Sequence, residues 1–206
     1  MAPHLPARLD HLLLARLGLL PLVCHPRHPH LTALPQTQPR LIKARLRAGP
    51  TAEKQRRQQL IQTIASISFL TLLLTPGLDH HFHWTTLPWP LSITGDLLVI
   101  LGLTVVYRVF RENTFTSGII EVQTNQHVIT TGPYAVVRHP MYAGASLMLL
   151  GVPLALASWP AYIPCLILIA VIIARLLDEE HYLTTHLPGY TDYTHKVHYR
   201  LIPHLW

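Results

Sequence analysis

Two short stretches hold most of the reactive side chains in the second half of the chain: Arg138-His139-Pro140-Met141-Tyr142, and Arg175 with Asp178, Glu179 and Glu180. Thr131-Gly132-Pro133-Tyr134 upstream is a turn signal, and Pro140 then falls in the first turn of a helix, where its missing N–H is tolerated. A helix starting there offers free backbone donors and a positive end, suited to an anionic group such as the carboxylate of an amino acid or cofactor. Glu179 and Glu180 could accept hydrogen bonds from an ammonium or from ribose hydroxyls, and their charge favours a cation such as a sulfonium. Tyr134 and Tyr142 offer π faces to an adenine ring or a sulfonium. Taken singly, each has a plainer role: belt aromatics, a solvated helix end, and arginines that anchor helices at a membrane interface.

The elements that position these residues read as membrane helices. Half of the 206 residues are apolar and only 13% are charged, too few charges for an ordinary soluble surface. Uncharged or nearly uncharged runs extend from Leu60 to Leu78, Leu91 to Val106, Met141 to Ser158 and Trp159 to Leu177. These predict about four spans of an all-α, polytopic membrane helical bundle. Pro76-Gly77 is expected to close the first span, leaving His80, His81, His83, Trp84 and Trp89 in a loop. Ser158-Trp159-Pro160 is short enough to make the third and fourth spans a hairpin. Antiparallel pairing then brings Arg138–Tyr142 and Arg175–Glu180 to the same end, where ionisable groups at a membrane boundary mark a functional site.

Charge distribution gives the orientation. Ten of the 16 Lys and Arg precede residue 58, against only Asp10 and Glu53. A basic flank ahead of an apolar span reads as a cytoplasmic segment facing anionic lipid, and with no aromatic-interleaved basic patch no nucleic-acid partner is expected. Both termini and the Arg138–Glu180 cluster are expected on the cytoplasmic side. Residues 1–57 are rich in Pro, His and Arg and read as a poorly ordered or interfacial segment; within them Leu12–Cys24 is too short and broken to span a bilayer. Cys24 and Cys165 belong to no CxxC or CxxH spacing and read as unpaired thiols.

The string TGPYAVVRHPMYAG (Thr131–Gly144), then RLLDEE, then GYTDYTHKVHYRLIP (Gly189–Pro203), resembles the isoprenylcysteine carboxyl methyltransferase and phospholipid methyltransferase superfamily. The resemblance covers residues 108–206 and implies that 58–206 form a transmembrane methyltransferase domain with a cytoplasmic C-terminal lid over the cofactor. It implies S-adenosylmethionine as the methyl donor, contacted by Gln123, by Gln126, His127, Val128 and Ile129, by Tyr134, by His139, Pro140, Met141 and Tyr142, and by Glu179 or Glu180. Arg175 matches the family's arginine at the acceptor side. The implied partner is a lipid or lipidated methyl acceptor, first an isoprenylcysteine-like carboxylate and alternatively a phospholipid amine.

Methyl transfer is an in-line displacement, so the protein mainly aligns donor and acceptor and excludes water. A carboxylate acceptor needs no general base and could be held by Arg175 through a bidentate pair. An amine must lose a proton, for which His139, Glu180 or His181 are candidates.

Other classes compete with this reading. The 15 histidines raise a metal oxidase, but His80-His81-Phe82-His83 and the pairs His181/His186 and His195/His198 fall on opposite sides of the predicted membrane, so no metal is expected. A membrane reductase of sterol type using NADPH shares the superfamily's C-terminal motifs, and a non-catalytic membrane scaffold is the third reading.

Overall fold

A computed structural model describes residues 48–53 and 55–206; the expectations for the N-terminal leader, including the Leu12–Cys24 segment and Cys24, fall outside them. Among the described residues the chain is all-helical: α1 (Arg56–Phe82), α2 (Trp89–Glu112), α3 (Pro140–Ala155), α4 (Tyr162–His186) and α5 (Tyr190–Lys196), with single 3-10 turns at Pro50–Ala52 and Gly132–Ala135.

Helices α1 and α2 are long and apolar enough to cross a membrane, and α3 is a shorter apolar helix of 16 residues. Their surfaces carry the same message. Leu74 of α1 is 66% exposed and Leu97 of α2 61%, with Leu60, Ile67 and Leu70 similarly bare, whereas Gln58, Ser68 and Asp79 are buried. This reversal fits a lipid-facing exterior, since contiguous apolar surface of that extent is not left in water. The chain is a membrane helical bundle.

Several boundaries differ from the sequence expectation. Pro76-Gly77 does not stop the first helix: α1 runs through it to Phe82, placing His80 and His81 in the helix. Proline removes one backbone bond, but in an apolar medium the remaining intrahelical bonds have no competing water, so one missing bond does not end the helix. The stop comes at His83, in the left-handed conformation at φ 54°. There Asp79 accepts from the Thr85 amide at 2.9 Å and from its hydroxyl at 2.6 Å, fixing the turn. Helix α2 continues past Val106 to Glu112, and α4 continues past Leu177 to His186. Both extensions are polar, because a helix can leave the hydrocarbon without losing its backbone bonds.

Two pairings build the bundle. Gly95 and Gly102 on α2 meet Gly151 and Gly144 on α3 backbone to backbone. A Cβ added at Gly95 would lie 2.2 Å from the Ala155 amide nitrogen, and one at Gly102 2.6 Å from the Gly144 carbonyl oxygen. Small residues allow this approach, and dispersion between the two backbones replaces the hydrophobic drive that lipid cannot supply. The second pairing is α1 with α4, where Leu72, Ala161, Cys165 and Leu168 form a core shared with Leu149 of α3. Helices α3 and α4 are antiparallel: Cys165 Sγ lies 3.1 Å from the Leu149 carbonyl near the hairpin tip, while Tyr142 reaches Glu179 at the other end.

Candidate active site

The open end of the α3–α4 pair holds a cavity of about 290 Å³, near the lower end of ligand pockets (roughly 300–1,000 Å³). Its walls are the 113–129 loop, the start of α3, the end of α4 and the face of α5. Antiparallel pairing does bring Arg138–Tyr142 and Arg175–Glu180 together. Tyr142 Oη donates to Glu179 Oε2 at 2.5 Å, and Arg175 Nε donates to Tyr142 Oη at 3.2 Å.

The two adjacent glutamates have different surroundings because neighbours on a helix point about 100° apart. Glu179 lines the cavity; Glu180 does not. Glu180 accepts from Arg138 Nε and Arg200 Nε, each at 2.6 Å, while Arg138 Nη1 also donates to the carbonyls of Val197 and His198 at 2.9 Å. Glu180 and Arg138 thus clasp the C-terminal segment against the bundle.

The start of α3 departs from expectation in one respect. Pro140 does sit in the first turn, but the amides of Arg138 and His139 donate to the carbonyls of Tyr199 and Arg200 at 2.8 and 3.0 Å. Those two donors are therefore used by the chain itself.

His139 is buried, with Nε2 3.4 Å from Tyr190 Oη and 3.9 Å from Glu180 Oε1. Burial depresses its pKa, outweighing the attraction of Glu179 and Glu180, so the imidazole is neutral. A folded pKa below the unfolded value of about 6.5 means that its contribution to stability is present above that pH and is lost as pH falls through it. Thermal stability is expected to fall as the pH drops below about 6.5, by up to about 1.4 kcal/mol per pH unit, and His139→Gln should flatten this slope. An unchanged slope in the variant would remove His139 as its source.

Tyr134 is held from two sides: its hydroxyl accepts from Asn113 Nδ2 at 2.8 Å, and its carbonyl accepts from Tyr193 Oη at 2.7 Å. Burial raises the Tyr134 pKa to about 12, so the phenol stays neutral. The turn before it is fastened to the end of α2, where the Thr131 hydroxyl donates to Glu112 and Gly132 adopts φ 58°.

Gln126, His127, Val128, Ile129, Pro140 and Met141 line the cavity. Gln123 does not; its side chain donates to the Phe115 carbonyl at 3.1 Å and its amide donates to Gln126 Oε1 at 2.8 Å. Gln123 therefore holds the loop that carries Gln126–Ile129. Sequence reasoning missed the loop wall from Asn113 to Glu121 and the α5 pair Tyr190 and Tyr193. The i, i+3 spacing of the two tyrosines on one short helix was the available signal; the loop had none.

Residues 91–188, which include α2, α3, α4 and the loop between α2 and α3, match the family profile described as phospholipid methyltransferase. The matched stretch covers 98 of the 206 residues. It contains every cavity residue named above except the α5 tyrosines. The Delta(14)-sterol reductase of Mus musculus is 28% identical over 137 residues, covering 58% of this chain and 33% of the reductase, so the chain spans about a third of that relative's length. The cavity lies largely within the matched stretch and is the candidate active site.

Proposed function

We propose that this chain transfers a methyl group from S-adenosylmethionine to the head of a lipid or lipidated acceptor in the cavity at the α3–α4 end. The observation that carries the reading is the Tyr142–Glu179 pair, a phenol and a carboxylate 2.5 Å apart on the cavity wall, within the stretch that matches the phospholipid methyltransferase profile. S-adenosylmethionine supplies a methyl group on a positively charged sulfur. The lining fits such a molecule: Glu179 offers its remaining oxygen to a cationic or hydroxyl group, and Tyr134 and Tyr142 offer aromatic faces.

In this reading Gln126–Ile129, Tyr134, His139–Tyr142 and Glu179 contact the cofactor, and Arg175 stands on the acceptor side. Gln123 and Glu180 act by holding the loop and the C-terminal lid. The bundle crosses the membrane four times, with the site and both termini on the cytoplasmic side. Arg56 and Arg57 at the start of α1 and Arg108 and Arg111 at the end of α2 support that orientation. For an amine acceptor, neutral His139 is better poised to take a proton than Glu180, which two arginines hold ionised.

Calorimetry of the purified chain with S-adenosylmethionine and, separately, with NADPH tests the donor. Saturable S-adenosylmethionine binding is expected; NADPH binding without it would favour a reductase instead. Labelled methyl transfer into a membrane extract then identifies the acceptor by alkali, because esters hydrolyse and methylamines do not.

A further inference from the structure

Arg175 is the most heavily bonded side chain at the site, and its partners are all supplied by the chain. Nη1 donates to Glu53 Oε1 at 2.7 Å and to Gln58 Oε1 at 3.0 Å, Nη2 to the Gly118 carbonyl at 2.9 Å, and Nε to Tyr142 Oη at 3.2 Å. A guanidinium has five N–H donors, so these contacts leave one, on Nη2. Bidentate pairing with a carboxylate needs two parallel N–H groups on one edge, and no edge of Arg175 has both free.

Glu53 is well placed to keep it so. It follows the Pro50–Ala52 turn in a strap ahead of α1, and its side chain is 4% exposed. Moving Arg175 to a ligand would strand this carboxylate in a buried place without its partner. A second hollow of about 100 Å³ lies between the strap and Tyr182, and it shares the Ile119–Glu121 wall with the main cavity. The strap is thus the outer wall of the Arg175 side. The other arginine lining the main cavity, Arg138, is tied to Glu180.

We infer that Glu53 is a specificity-determining residue: a carboxylate of the chain itself that occupies Arg175 and closes the acceptor end to carboxylate head groups, leaving it to neutral or cationic ones. The inference rests on the reading of this cavity as the methyl-transfer site.

The test uses the full chain in lipid nanodiscs with two probes that differ only in the head, N-acetyl-S-farnesylcysteine and its carboxamide. Wild type is expected to bind the acid at least tenfold more weakly than the amide. Glu53→Ala should raise acid affinity at least tenfold with the amide unchanged, and Glu53→Asp, which keeps the charge, should behave as wild type. Should the alanine variant not fold, Glu53→Gln carries the same comparison with its isosteric side chain. An acid-to-amide ratio unchanged in the folded variants, or no acid binding in any of them, overturns the inference. S-adenosylmethionine binding is measured separately on the same samples: its absence in wild type would sink the methyl-transfer reading, whatever the probe ratio.

Discussion

Glutamine in place of Glu179 is expected to weaken S-adenosylmethionine binding roughly 30- to 150-fold, the equivalent of about 2–3 kcal/mol for a hydrogen bond to a charged partner. The substitution keeps the shape and the Tyr142 contact and removes only the charge, so protein stability should change little. Glu180→Gln should do the reverse. It leaves Arg138 and Arg200 without the carboxylate that each meets at 2.6 Å, so the melting temperature should fall before cofactor affinity does. Calorimetry and thermal melts on both variants separate the two roles. Equal losses of affinity with unchanged stability would mean that Glu180 also faces the cofactor.

Leucine at Gly102 is expected to abolish the folded protein, a loss of more than about 4 kcal/mol. Its Cβ alone would meet the Gly144 carbonyl oxygen at 2.6 Å and the Met148 amide nitrogen at 2.7 Å, and neither backbone atom can rotate away. Gly77→Ala is the matched control. It too lies inside a long apolar helix, but an added Cβ there meets nothing within 4 Å. Alanine at position 77 should leave the protein as stable or raise it by about 0.5–1 kcal/mol through helix propensity. Yield and monodispersity in detergent, followed by thermal melts, measure both. A well-folded Gly102→Leu protein would show that the two helices can separate without loss.

Local features of the chain were legible where a short pattern and its structural consequence lie close together. Pro140 at a helix start, the Ser158-Trp159-Pro160 hairpin, and the convergence of Tyr142 with Glu179 all follow from span length and antiparallel return. Glu179 and Glu180 were not separable in sequence, because their difference is one of helix phase against partners outside the helix. Pro76-Gly77 misled, because proline-glycine as a stop signal assumes water to take up the freed carbonyls. The partnership of Glu53 with Arg175 was invisible: the two lie 122 positions apart, and Glu53 belongs to a Pro-rich stretch with no periodicity to orient it. The glycine seam of α2 and α3 was present as two pairs spaced seven residues apart, yet spacing alone does not name the facing helix.

The seating of the C-terminal segment on the start of α3 has a consequence for which substitutions the chain can absorb. Arg138 and His139 hold Tyr199 and Arg200 through main-chain amides and carbonyls, atoms that almost every residue possesses. At those two contacts the identity of residues 199 and 200 is therefore unconstrained, and the requirement falls on the donors: neither position 138 nor position 139 can be proline. A proline at either place would remove an amide that the tail rests on.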